Sequence, residues 1–175
     1  MKRRVLILVS ASLLLALLLG QLNHQLATWQ VHVWCGGLFV AFAALRMAYG
    51  PGAAAAFLAG LLLDATTPVV FGTQGLLFLA AHAVVFTLRA RAPRGEVAVG
   101  VVVSLLANLG LFLALGFLRI DAGAESAGAW MRSFVDLLFS QVMLALIAPW
   151  FFALQQRMLE RTTTTTTRSF SSRSI

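Results

Sequence analysis

Residues 52–72 read GAAAAFLAGLLLDATTPVVFG, and the carboxylate of Asp64 stands in a run otherwise apolar enough to enter a bilayer. Gly52, Ala56, Gly60 and Asp64 recur every four residues, which on a helix makes one stripe along one face. Small residues at that spacing let a neighbouring backbone approach closely. That is the main route to helix association in a solvent as apolar as leucine. The stripe therefore predicts that this helix, and Asp64 with it, turns toward protein instead of lipid. A charged Asp near the centre of a spanning helix costs about 2.5 to 3.5 kcal/mol, so it should face inward, be hydrogen-bonded or be protonated. Two roles fit that position: bracing the turn over 66–75, or direct use in binding a partner or solute.

Composition extends the same solvent argument to the whole chain. Of 175 residues 60% are hydrophobic and 11% charged, and the mean hydropathy is +0.90. A soluble domain of this length would need far more than 13 basic and 6 acidic side chains on its surface, so the chain reads as an all-α, polytopic membrane protein. Six apolar segments are candidate spans: 5–22, 33–49, 53–70, 74–88, 97–118 and 134–154. The second to fourth are short or interrupted. Tyr49-Gly50-Pro51-Gly52 breaks the second from the third, and Thr66-Thr67-Pro68 with Gly72 and Gly75 loosens the join to the fourth, which predicts a tight or partly re-entrant reversal there. The opening MKRRVLILVSASLLLALLLG has the basic start and apolar run of a signal peptide. It lacks a small-x-small cleavage site, so a retained first helix is expected. The expected organisation is a single six-helix transmembrane domain over 1–160 and a disordered cytoplasmic tail over 161–175, where RTTTTTTRSFSSRSI has too little apolar surface to order.

The formal charge of +7 raises the question of nucleic acid, and its distribution answers it. With Lys2, Arg3 and Arg4 inside, six crossings place 11 of the 13 basic residues on the cytoplasmic side. Only Arg119 and Arg132 flank the outer loop, beside Asp121 and Glu125. This follows the positive-inside rule, so no nucleic-acid partner is needed, and both termini are expected in the cytoplasm. Arg157, Arg161, Arg168 and Arg173 suggest contact with anionic membrane lipids. Trp29, Trp34, Trp130 and Trp150 fall near expected membrane boundaries and read as interfacial anchors.

Other polar residues within the apolar segments are His82, Ser104, Asn108, Ser140 and Gln141. Ser104 and Asn108 are expected to hydrogen-bond a neighbouring helix. His82 lies at a depth that could approach Asp64. The two would be ingredients of a proton relay, though simple packing is favoured. Asp64, His82 and Asn108 could instead line a polar cleft. Arg132 and Asp136 read as an i, i+4 surface ion pair. The single Cys35 reads as a small buried hydrophobe. There is no His or Cys cluster, no Gly-rich phosphate loop and no paired carboxylate beside a base. The expectation is therefore a non-enzymatic protein without catalytic, metal or cofactor-binding residues and without a cofactor.

The segments Arg46-Met-Ala-Tyr-Gly50-Pro-Gly52, Phe57-Leu-Ala-Gly60-Leu-Leu-Leu-Asp64 and Phe71-Gly72-Thr-Gln-Gly75-Leu-Leu resemble the central signature of the rod shape-determining MreD family. The likeness is detailed over 46–79 and architectural elsewhere. It departs from the family in Ala-Thr-Thr-Pro after Asp64, where Ser-Gly is common, in the missing proline before the second segment, and in the threonine tail. The resemblance implies six transmembrane helices, similar to the substrate-binding components of energy-coupling-factor transporters. It also implies a bacterial inner-membrane location and a role in the cell-elongation complex that supports lateral peptidoglycan synthesis. The implied partners are an MreC-like bitopic protein and, through it, the penicillin-binding transpeptidase and RodA. Its motif positions are Arg46, Gly60, Asp64, Gly72 and Gly75, beside the packing positions Gly52 and Ala56. The alternative is a solute-binding component of a vitamin-type transporter.

Overall fold

The computed structural model describes residues 2–65, 70–91, 97–119 and 127–171. Six α-helices run through them: α1 (Lys2–Leu26), α2 (Gly36–Arg46), α3 (Tyr49–Asp64), α4 (Thr73–Leu88), α5 (Val97–Arg119) and α6 (Ala127–Ser171). A 3-10 turn, Ala27–Trp29, follows α1, and another, Arg89–Arg91, follows α4. The described residues contain no strand. The backbone of α6 continues helical through the threonine run for which composition predicts disorder. Extending an existing helix requires no new nucleus, which removes the largest barrier to helicity in such a stretch.

Helix length corrects the expectation of six transmembrane spans. Three described helices are long and apolar enough to cross a membrane, over Val9–Trp29, Ala98–Leu118 and Met131–Gln155. The other three are shorter: α2 has 11 residues, α3 and α4 have 16 each. At 1.5 Å per residue those are about 16 Å and 24 Å, against a hydrocarbon core of about 30 Å. The six-span plan, and with it the likeness to energy-coupling-factor components, therefore does not hold. The protein is a helical membrane protein whose described residues form three long helices and three short ones.

The second segment shortens at its beginning. Gln30 takes a left-handed conformation (φ 55°), and 31–35 carry no helical hydrogen bonding before α2 begins at Gly36. Once formed, α2 is the centre of the molecule. Every residue from Val33 to Ala44 is buried, and Phe39 and Phe42 meet Phe151 and Phe152 of α6 in edge-on ring contacts. Gly100 of α5 lies against Phe152, closing that layer.

Successive helices alternate in direction. Gly60 meets the backbone of Gln74 and Gly75, and Gly52 meets His82, so α3 and α4 form an antiparallel hairpin. Leu105 of α5 accepts a hydrogen bond from the Gln141 amide of α6 while Gly100 faces Phe152, so that pair is antiparallel too. Outside this core α1 is thinly packed. Its Leu13, Leu14, Leu17 and Leu18 are exposed and Leu19 is buried, the pattern of a helix bathed in lipid on most sides. Trp29 and Trp150 are each 79% exposed, as membrane-facing indoles should be, but Trp34 is buried, packed edge-on to Phe78. The interfacial reading of Trp34 is therefore corrected. Trp34 precedes a helix that starts inside the bundle, and the bundle encloses its ring.

Candidate functional site

The turn between α3 and α4 is built around one side chain. Asp64 is the last residue of α3 and is 4% exposed. Its Oδ2 accepts the N–H groups of Gly72 at 2.9 Å and Gly75 at 3.3 Å, and its Oδ1 accepts that of Gln74 at 3.0 Å. These are donors at the N-terminus of α4, which no residue of α4 itself satisfies. A carboxylate suits the site because both the free N–H groups and the helix dipole favour negative charge there.

The glycines around it make the approach possible. Gly72, at the N-cap of α4, has φ 97°, a left-handed conformation open to glycine at little cost. A Cβ on Gly60 would fall 2.6 Å from the Gln74 carbonyl oxygen and 2.7 Å from Gly75 Cα, so only a hydrogen there lets the two backbones touch. Gly75 packs in turn on Leu61 and Phe57. Ala56 is fully buried one turn below. The stripe that begins at Gly52 thus brings Gly60, Asp64, Gly72 and Gly75 together as one unit. Residues 66–69, including Thr66, Thr67 and Pro68, lie outside the described residues.

A second broken point, at the start of α2, is held by side chains from three other helices. Asn23 of α1 donates to the Val33 carbonyl (2.9 Å) and accepts from the Val33 N–H (2.8 Å). Asp136 and Ser140 of α6 accept the N–H groups of His32 (2.8 Å) and Trp34 (2.9 Å). Asn108 of α5 accepts from the Gly37 N–H (3.1 Å) and donates to the Trp34 carbonyl (3.2 Å). Asn108 lies ten residues into the apolar run Ala98–Leu118, at its middle, so the Trp34 carbonyl and the Gly37 N–H that it holds stand at mid-span level. Backbone without helical bonds is tolerated at that depth where protein supplies the partners.

The other end of α2 is finished by Arg89. Its Nη1 donates to the carbonyls of Ala44 and Met47, both at 2.8 Å, and its guanidinium lies 3.7 Å above the Phe86 ring. A cation on the terminal carbonyls complements the negative end of the helix dipole. Arg46, the last residue of α2, is half-buried.

The polar residues grouped as a possible cleft occupy separate junctions. His82 is fully buried against Gly52, with Tyr49 and Phe86 flanking its ring. Gln74, which Asp64 holds, is eight residues away along α4, about 12 Å, too far for an Asp–His pair. The amide of Asn108 is committed to α2. Ser104 bonds the Gly100 carbonyl of its own helix, not a neighbour. Arg132 and Asp136 do not pair with each other: Arg132 reaches Gln30 at 3.3 Å, and Asp136 holds His32. Sequence reasoning assigns no site role to Asn23 or Arg89, which finish α2 from outside. Neither stands in a motif, and the signal that finds them is the contact itself. No group of three or more metal-ligating side chains occurs among the described residues, and Cys35 is a buried free thiol.

The arrangement defines a multi-pass α-helical membrane protein whose internal polar side chains brace interrupted backbone. Compared with family models, characterised proteins and solved structures, the chain matches none.

Proposed function

We propose that the protein is a non-enzymatic membrane scaffold of the MreD type, a subunit of the bacterial elongation complex that receives an MreC-like bitopic partner in the inner membrane. The observation that carries this reading is the single unit formed by Gly60, Asp64, Gly72 and Gly75. The residues of the motif support one another structurally, as a scaffold motif requires, and the carboxylate is committed to three backbone donors instead of a reacting group. The arginine-rich end, with Arg46 and Arg89, then faces the cytoplasm. The transpeptidase and RodA enter only through the partner.

The test is co-purification of tagged protein with the MreC-like product of the same genome, together with cell shape after substitution. Asp64→Leu should leave the chain in the membrane, weaken co-purification and round the cells. Rod-shaped cells with undiminished co-purification would reject the scaffold role. Stabilisation of the purified protein by a vitamin would favour the solute-binding alternative instead.

A further inference from the structure

At the end of the α3–α4 hairpin away from Asp64, the N-terminus of α3 is left open. Its N-cap, Ala48, makes no side-chain cap, and Pro51 has no N–H to offer. The first inward bond is from the Gly52 N–H to the Ala48 carbonyl, at 2.9 Å. The N–H groups of Tyr49 and Gly50 find no acceptor among the described residues, both residues are exposed, and the space beside Gly50 is empty to 4 Å. Helix α4 has the same kind of terminus and meets it with Asp64. Helix α3 has no carboxylate of its own at this end.

The surroundings of this terminus are those of an anion site. Arg46 ends the preceding helix two residues before the cap. Arg89 is fixed nearby through Nη1, which leaves Nε and Nη2 without hydrogen-bond partners among the described residues. Beneath them His82 is fully buried, its Nε2 directed at Gly52 in the first turn of α3, and neither ring nitrogen has a hydrogen-bond partner among the described residues. A buried imidazole left unpaired loses hydration with no return, so this ring marks a place where a polar partner is missing. Its cover is the Tyr49 ring, 5.6 Å away and half exposed.

We propose that this open terminus binds the phosphate of an acidic phospholipid. The N–H groups of Tyr49 and Gly50 and the guanidiniums of Arg46 and Arg89 hold its oxygens, and His82 completes the site when the Tyr49 ring swings aside. Helix N-termini bind phosphate through free N–H groups and the dipole together. The source is lipid and not a soluble anion because the site lies where α2 and α4 end, next to Leu88, which is 54% exposed as a lipid-facing residue. Basic side chains at that level attract acidic headgroups.

Native mass spectrometry of the full chain, released from micelles containing phosphatidylglycerol and phosphatidylcholine, tests the assignment. Retention of phosphatidylglycerol over phosphatidylcholine is expected. Gly50→Asp should cut that retention about fivefold or more by supplying the anion from within, a change that favours the helix itself. Arg46→Glu should act in the same direction, while Leu106→Ala, on the exposed face of α5, keeps the lipid and shows that substitution alone does no harm. Equal retention of the two lipids, undiminished binding by Gly50→Asp, or complete displacement by inorganic phosphate would overturn the proposal.

Discussion

At the scale of single residues, the chemistry of Asp64 is backbone chemistry. Three N–H groups converge on one carboxylate, and removing it strands them in a buried turn. Hydrogen bonds to a charged group are worth about 1.5 to 3 kcal/mol each, but the three share one side chain and the turn relaxes, so Asp64→Ala should cost about 2 to 3 kcal/mol. Denaturation in mild detergent, followed by tryptophan fluorescence, measures it. Gly72→Ala acts through φ 97° instead of through a lost bond and should cost about 1 kcal/mol in the same assay. If the two variants are equally stable, the carboxylate contributes less than its contacts indicate. The stripe is legible in the sequence because four-residue spacing on a helix has one geometric meaning. Which of the two roles Asp64 plays is not legible there, since the donors it accepts from lie 8 to 11 residues on, across a turn whose path the residue types do not specify.

At the scale of elements, helix ends carry the architecture, and their partners come from far away in sequence. Apart from Arg46 near its end the run 33–49 is apolar, and hydropathy cannot tell an extended entry from a helical one. What decides that α2 starts at Gly36 is the set Asn108 and Ser140, 71 and 106 residues downstream of the groups they bind. Such pairings leave no local trace, which is why the second segment, short as it is, reads as a candidate span and proves to be a buried half-length helix. Arg89→Met keeps the long stem but frees the carbonyls of Ala44 and Met47, and should destabilise by about 1 to 3 kcal/mol. Asn108→Leu should cost a similar amount by stripping both the Gly37 N–H and the Trp34 carbonyl. Gly60→Val tests the hairpin by volume: its Cβ would sit within 3 Å of the α4 backbone, so engineered cysteines across α3 and α4 should lose their disulfide cross-linking. Undiminished cross-linking would mean that the helices do not depend on that close approach.

At the scale of the whole molecule, three long helices pack with three shorter ones, and polar groups of other helices keep the interrupted backbone satisfied where water is absent. That accounts for an apolar chain retaining Asn23, Asp64, Asn108, Asp136 and Ser140 without gathering them into one reactive centre. The all-α membrane class is legible from composition, because few soluble surfaces can be made from so few charges. The number of spanning helices is not, because it depends on where each helix begins. Hydrogen–deuterium exchange in lipid nanodiscs, read at single amides, probes every braced junction at once. The amides of Val33, Trp34, Gly37, Gly72, Gln74 and Gly75, all outside helical ladders or at their ends, should exchange as slowly as those inside α2. Exchange of these six at the rate of open loops would contradict the bracing of interrupted backbone by side chains of other helices.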